Sequence, residues 1–514
     1  VRGVQLNMAA GIREFGRATP HRVAVVDGDR QISFGTLDER SSRLASATLD
    51  RGLRPGERIA VLANNRYEYF EISAAMAKAG IPTVPLNPRN NVGDNAYVLG
   101  HAGVRGIVVA DELADRVDGL VDDLHLVLSF DGGVGEHYDS FVAAGRAVDP
   151  AVPVDEMDPF CITYTSGTTG RPKGVLLTHR GRVLTAFGVG LDYGLGPNKS
   201  TIAVAPMYHG AGFEFAYAAP MLGGSCTVLP SWDPERLLDL MVSSRAETVF
   251  LVPTHAQHVR RFCEDPAARY DLSALKTLYF NAAALPVALK EWVIAAFPGV
   301  AIHELYGSTE CSIVTNLRPE FALARAGSVG HPWFWNEVRL VGEDGAEVGP
   351  GEPGELYARS PLLLTGYLDD EEATRAGYDA EGFFSVGDVA VRDEEGFISI
   401  VDRKKDMIIA GGVNIFPREI EEVIARHEPV DDVAVIGVPD EVYGERVAAF
   451  VVGRPGRQVD VTVLDGYVRE HVARYKVPRE WHLVDRLPRN PSGKILKRTI
   501  RDEYAGPPEQ SQTR

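Results

Sequence analysis

Short apolar runs alternate with helix-period stretches along the first half of the chain. Arg58-Ile-Ala-Val-Leu-Ala63, Ile81-Pro-Thr-Val-Pro-Leu86 and Gly106-Ile-Val-Val-Ala110 have strand length, and the segments around Glu68 to Ala79 and Asp94 to His101 between them are amphipathic at helical spacing. The rhythm returns with Thr201-Ile-Ala-Val-Ala205, Ser225-Cys-Thr-Val-Leu229, Thr248-Val-Phe-Leu-Val252 and Thr277-Leu-Tyr-Phe280, each followed by a helical stretch with periodic Leu, Val and Ala. Apolar strands joined by helices predict parallel α/β layering, and the two series predict two stacked α/β units.

From about Gly327 the texture changes to strands punctuated by turns at Glu343-Asp-Gly345, Pro350-Gly-Glu-Pro-Gly354 and Glu394-Glu-Gly396, which predicts a smaller β-rich unit. Pro417-Arg-Glu-Ile-Glu-Glu-Val-Ile424 then reads as a helix opened by proline and acidic residues, followed by strands at Val433–Gly437 and Val447–Val452. A compact α+β unit of about 110 residues therefore ends the chain. No short-period repeat or low-complexity tract points to a solenoid.

Length and composition narrow the class. A chain of 514 residues with 45% hydrophobic and 24% charged content has the make-up of about three globular units. The net charge of −18 opposes binding to a nucleic-acid backbone. Cys161, Cys226, Cys263 and Cys311 lie far apart, without a C-x-x-C pair, so neither a zinc cage nor a disulfide framework is expected and a reducing cytoplasm fits. The residues from Val1 to Arg13 lack the apolar core of a signal peptide, and no run is long and apolar enough to span a membrane.

The strongest local signal is Tyr164-Thr-Ser-Gly-Thr-Thr-Gly-Arg-Pro-Lys-Gly174, set between the apolar runs Phe160-Cys-Ile-Thr163 and Val175-Leu-Leu177. Glycines let backbone N–H groups close around a polyphosphate, the hydroxyls of Thr165, Ser166, Thr168 and Thr169 add short donors, and Lys173 supplies a cation. The segment reads as an anion-binding loop. It is not a Walker A loop, because Lys173 is followed by Gly174 and a strand-like run instead of a hydroxyl residue opening a helix.

Five further motifs follow in order: Ala205-Pro-Met-Tyr-His-Gly210, Tyr306-Gly-Ser-Thr-Glu310, Gly382-Phe-Phe-Ser-Val-Gly-Asp388, the stretch from Asp402-Arg-Lys-Lys-Asp406 to Glu421, and Pro488-Arg-Asn-Pro-Ser-Gly-Lys494. Together with the loop they resemble the adenylate-forming superfamily of acyl-CoA synthetases, nonribosomal-peptide adenylation domains and firefly-type luciferases, with acyl-CoA synthetases the nearest in character. The resemblance implies an α/β fold: a large N-terminal domain of two stacked α/β subdomains plus a small β-barrel-like subdomain, with a small mobile α+β C-terminal domain. It places an ATP- and acid-binding domain at 1–402, a hinge at 403–405 and a lid at 406–514.

The resemblance also implies a reaction in two steps. A carboxylate attacks the α-phosphorus of ATP, pyrophosphate leaves, and a thiol, CoA or that of a carrier protein, then displaces AMP. Lys494 matches the residue that stabilises the charge of the first step, and Thr309 the one beside the α-phosphate. Glu310, with the Thr169 hydroxyl, matches the magnesium ligands. The loop residues Thr165, Ser166, Gly167, Thr168, Thr169, Gly170 and Lys173 match the phosphate cradle. Tyr306 with Gly307 matches the adenine-stacking position, Ala282 and Ala283 the backbone strip along the other edge of the base, and Asp388 and Arg403 the ribose and phosphate contacts. His209 matches a gate between acid and thiol, flanked by Tyr208 and Gly210 and joined by Asn281 in lining the acyl pocket. Lys405 matches the hinge pivot, and Gly411, Gly412 and Asn414 the face that meets the pantetheine arm; by itself, Gly411-Gly412 also reads as a hairpin turn between Ile408 and Ile415.

Some positions depart from the usual pattern. Val386 stands where a threonine commonly precedes Gly-Asp, and Asn281 where a glycine usually lies; its amide either meets polar substrate atoms or serves a local backbone need. Glu214 is expected to be a solvated helix residue, and the glycines after His209 to leave room for a bulky acid. The expected activity is an acid:CoA ligase acting on an apolar or bulky carboxylic acid with ATP, Mg2+ and CoA. A free-standing enzyme loading a carrier protein, a luciferase-like monooxygenase, and a thioester-only or non-catalytic nucleotide-binding homologue are the alternatives. Neither a nucleic-acid partner nor a membrane span is expected, and a homodimer is left open.

Overall fold

The computed structural model describes residues 5–165, 172–403, 406–410, 413–440, 442–489 and 495–504, and within these the side chain of Arg403 is left aside. Among the described residues the strands form four sheets, of nine, eight, four and five strands.

The two large sheets are the predicted α/β units. In the nine-stranded sheet the strands Val23–Asp27, Ser225–Val228, Ser200–Ala203, Thr248–Leu251, Thr277–Phe280 and Ala301–Ser308 run parallel side by side. Antiparallel strands close both edges: Arg30–Ser33 at one, Ser312–Leu317 and then His331–Pro332 at the other. In the eight-stranded sheet Pro159–Thr165, Thr83–Pro85, Arg58–Leu62, Val104–Val109, Leu126–Ser129 and Glu136–His137 are parallel, and Lys173–Thr178 and Gly366–Tyr367 add antiparallel strands. Strands buried on both faces must be apolar throughout, which is why these runs read as unbroken.

Local sequence marks the helix ends. Glu68–Ala79 spans the predicted residues, is buried along its length and stops at Gly80, whose φ of +68° suits glycine. Val92–His101 begins with a reciprocal cap, Asn91 accepting from the Asp94 N–H and Asp94 accepting from the Asn91 N–H. A fully buried cation joins two helices at the base of this unit: Lys78 Nζ donates to Asp38 Oδ1 (2.6 Å), the Asp38 carbonyl (2.9 Å), Ser41 Oγ (2.8 Å) and Ser42 Oγ (2.9 Å). Desolvation on burial lowers its pKa, and the Asp38 carboxylate opposes that effect.

The predicted barrel-like unit is an open antiparallel path: Glu337–Val341, Pro353–Arg359, Phe384–Arg392 and Ile398–Arg403, with no pairing between its end strands among the described residues. The C-terminal unit is built on the long hairpin Val430–Asp440 and Gly444–Gly453. Alternate residues face opposite sides: Val433 and Val435 pack with Ile420, Ile424, Leu464 and Val468, whereas Ala434 and Ile436 pack with Ile500. Among the described residues no helix is long and apolar enough to cross a membrane.

Removing a buried cation leaves its partners without compensation. Lys78→Met is expected to lower stability by about 3 kcal/mol, seen as an earlier urea midpoint by tryptophan fluorescence. An unchanged midpoint would show that the four hydrogen bonds contribute nothing net.

Candidate active site

The elements that carry the candidate residues end at one region. Pro159–Thr165 and Lys173–Thr178 pair so that Thr165 stands opposite Lys173. Ser166, Gly167, Thr168, Thr169 and Gly170, which they bracket, lie outside the described residues. Lys173 Nζ is 3.3 Å from Asp370 Oδ2 and 4.9 Å from the centre of the Tyr367 ring, and the Tyr367 hydroxyl donates to Glu310 Oε1 at 3.1 Å. A loop lysine and a hairpin carboxylate far apart in the chain are thus linked through one tyrosine. Sequence reading missed Tyr367, since the two-residue strand it belongs to leaves no periodic signal.

Thr309 and Glu310 occupy the turn between Ala301–Ser308 and Ser312–Leu317, where the Leu364 N–H donates to the Glu310 carbonyl at 2.7 Å. Gly307 is obligatory there: the register shifts at Tyr306/Gly307, and a Cβ on Gly307 would lie 1.9 Å from the Ser312 carbonyl oxygen. One residue earlier on the strand, the Tyr306 hydroxyl donates to Asp388 Oδ2 at 2.7 Å, and Asp388 is only 5% exposed. The expected base-stacking ring and the expected ribose acceptor are therefore in direct contact. Ser385 shapes the approach to Asp388 by accepting from the Gly387 N–H at 3.0 Å while donating to Glu355 at 2.7 Å; Gly387 itself sits at φ +78°. Val386 between them packs half-buried against the main core. Asp388 pairs in register with Arg403 on the adjacent strand.

Asn281 serves a local backbone need. Its Oδ1 accepts from the Ala282 N–H at 2.6 Å and steadies Ala282 at φ +74°, a conformation unfavourable for a residue with a Cβ. Ala283 follows, exposed.

On the other sheet's side a narrow, mostly apolar cavity is lined by Tyr208, His209 and Gly210 together with Phe160, Thr163, Arg182 and Phe213. His209 precedes the helix Gly210–Met221, its ring centre 4.5 Å from that of Tyr208, and its Nε2 is buried without a hydrogen-bond partner among the described residues. Burial, with the Arg89 charge as a smaller cause, holds its pKa down at about 4, so the imidazole is neutral at pH 7. Open space surrounds the Cα of Gly210, as expected for a residue that leaves room. Gly212 does something else, since a Cβ there would lie 2.1 Å from the Pro206 carbonyl oxygen; it permits close packing of the turn.

Glu214 corrects an expectation. Far from being solvated, it is 2% exposed and pairs with the buried Arg182, Nη1 to Oε2 3.4 Å. An arginine inside the apolar face of His179–Tyr193 needs a buried anion, which the sequence shows only once the two helices are known to pack. Burial pushes the Glu214 carboxyl up to about 7 despite Arg182.

In the C-terminal unit Lys405, Gly411, Gly412 and Lys494 lie outside the described residues. The strands beside the glycine pair align Ile408 with Ile415 and Ala410 with Val413, the framework of the expected hairpin turn, and the segment holding Lys494 is bracketed by the bridge between Arg489 and Ile495. The Asn414 amide donates to Glu343 of the β-rich unit at 3.4 Å, not to a residue of the 306–310 hairpin. Among the described residues no three His, Cys, Asp or Glu side chains are grouped to hold an ion. Half-buried Glu310, with one oxygen engaged by Tyr367, suits a cation that takes one carboxylate and fills its other positions with phosphate and water, as Mg2+ does.

Comparison with known proteins decides the family. Residues 12–368 match the model of the AMP-binding enzyme family, and residues 419–494 match that of the AMP-binding enzyme C-terminal domain. The chain belongs to the AMP-binding enzyme family. A feruloyl-CoA synthase of Amycolatopsis sp is 36% identical over 95% of this chain and 97% of its own. A 3-[(3aS,4S,7aS)-7a-methyl-1,5-dioxo-octahydro-1H-inden-4-yl]propanoyl:CoA ligase of Rhodococcus jostii is 34% identical over 96% of each. Among solved structures, ATP-bound MatB from Rhodopseudomonas palustris superposes with a TM-score of 0.90 at 27% identity, covering 98% of this chain and 99% of that one. The open four-stranded sheet and the small C-terminal unit are thus features of an AMP-binding enzyme fold.

The Glu214 carboxyl gives a pH test of this part of the molecule. Its folded pKa lies above the ordinary 4.5, so stability from the protonated form is present below pH 4.5 and is lost as pH rises through about 7. Across that window the melting temperature of the wild type should fall relative to Glu214→Gln; a constant difference would contradict the assignment.

Proposed function

We propose that this chain is an ATP-dependent, AMP-forming acid:CoA ligase for an apolar or bulky carboxylic acid. The observation that carries the reading is the Tyr306–Asp388 contact, beside the 281–283 strip and a hairpin tip bearing Thr309 and Glu310, with Lys173 reaching the same tip through Tyr367. A base and its ribose fit between the ring, the carboxylate and the strip, and the triphosphate extends toward Lys173.

The first step brings together two anions, an acid carboxylate and the α-phosphate, so its transition state needs fixed positive charge and donors. Lys173 and the hydroxyl-rich segment receive the phosphates, Thr309 donates at the α-phosphate, and Lys494 approaches between the reactants from the C-terminal unit. When bound, Mg2+ neutralises phosphate charge; Glu310 and Thr169 would hold it. In the second step the unit at 406–514 turns about 403–405 and brings Gly411, Gly412 and Asn414 toward the adenylate while CoA enters. His209, neutral at pH 7 and without a hydrogen bond at Nε2 among the described residues, can move aside without carrying a charge through an apolar cavity. The names of the relatives, a feruloyl-CoA synthase, 2-succinylbenzoate–CoA ligases and a bicyclic propanoyl:CoA ligase, support a ring-bearing acid.

Exchange of labelled pyrophosphate into ATP, tested across short, long, aromatic and polycyclic acids, should depend on the acid and be followed by CoA-dependent AMP release. ADP formation, or no exchange with any acid, would contradict the proposal. Lys494→Ala should slow adenylate formation by about 100-fold or more and leave thioester formation from supplied acyl-adenylate near wild type. Equal loss of both steps would remove Lys494 from its role.

A further inference from the structure

One buried ion pair lies at the far end of the strip and includes none of the motif residues. Lys290, in the helix Val287–Ala296, and Glu304, in the strand Ala301–Ser308, have side chains 1% and 5% exposed, with Nζ and Oε2 2.6 Å apart. Neither of these two atoms has a hydrogen-bond partner elsewhere among the described residues. The other carboxylate oxygen, Oε1, accepts from the Leu285 N–H at 3.1 Å. That bond spans a junction: Leu285 closes the loop that begins at Asn281, and Glu304 lies two residues before Tyr306 on the strand next to the one the loop leaves.

We infer that Glu304, paired with Lys290, is a positioning residue that sets the width of the slot between the Tyr306 ring and the Ala282–Ala283 backbone, and through it the preference for adenine over other bases. The inference rests on the proposed nucleotide site. The loop enters at a strained point, Ala282 at φ +74°, held by the Asn281 side chain. Its far end is fixed by Leu285, which is 3% exposed and bonded to Glu304, so the two exposed residues between them hang from two anchors. Residues 304 and 306 alternate onto the same face of their strand, so the carboxylate that holds the loop and the ring that faces it move as one body. A pair that only added stability would have no need to bond the loop, and an apolar pair would fill the same space.

Two double variants separate anchoring from charge. Lys290→Met/Glu304→Gln removes both charges and keeps an acceptor for the Leu285 N–H; Lys290→Met/Glu304→Leu removes both charges and the acceptor. Calorimetric titration with AMP and with IMP is expected to show the Gln variant within about 3-fold of wild type and the Leu variant weaker for AMP by about 10- to 100-fold, with its AMP-over-IMP preference reduced. Equal affinity and equal preference in the two variants would overturn the inference while leaving the ligase reading intact. A wild-type protein that binds neither AMP nor ATP would overturn both. Should the Leu variant not fold, hydrogen exchange on the wild type decides: the Leu285 amide is expected to be protected with and without AMP, and exchange as fast as at Ala283 and Ala284 would overturn the inference.

Discussion

A carboxylate and a polyphosphate repel each other, and a protein that joins them must gather donors and cations where both can sit out of water. Parallel sheets make such a place, because their strands end together and their loops collect at one edge. Here two sheets stack so that the hairpin of Ala301–Ser308 from one and the closure of Thr165 and Lys173 from the other approach through Tyr367.

The interior shows what this arrangement costs. Arg182–Glu214 and Lys290–Glu304 are buried charge pairs, and each is incompletely satisfied among the described residues: Arg182 Nε and Glu214 Oε1 have no partner there, and in the second pair Lys290 Nζ and Glu304 Oε2 have only each other. Such pairs add little to stability when compared with apolar packing, yet they allow one geometry only. Glycines act in the same sense. Gly307 and Gly212 lie against backbone carbonyls at distances no side chain could tolerate, so the hairpin tip and the turn after His209 have a single path. The C-terminal unit meets the rest more lightly, through Arg418 donating to the Ile400 carbonyl at 2.7 Å, Asn414 to Glu343, and Arg261 with Asp431 at the surface. Contacts of this kind can be exchanged for others at small cost, which suits the turning motion proposed for this unit.

Much of this was legible beforehand, for identifiable reasons. Apolar runs such as Thr248–Val252 read as strands because burial on both faces demands continuous hydrophobicity, and Glu68–Ala79 read as a helix to its last residue because Gly80 ends it. The side-chain partners were not legible. Glu214 looks like a surface residue until the helix bearing Arg182 packs against it. Asn281 could have faced a ligand or its own backbone, and only the φ of Ala282 separates the two. Tyr367 lies in a strand too short to leave a pattern, and the Lys290–Glu304 pair joins residues whose spacing carries no periodic meaning. Pairwise burial is a property of the packed chain, so a linear reading finds the elements and misses the ties between them.

The most direct measurement of the central claim follows oxygen. With an accepted acid labelled with 18O in its carboxylate, complete turnover with ATP and CoA should leave one labelled oxygen in the AMP phosphate, because the carboxylate itself attacks the α-phosphorus and the thiol later breaks the acyl–oxygen bond. AMP free of label, or label found in pyrophosphate or inorganic phosphate, would contradict the account.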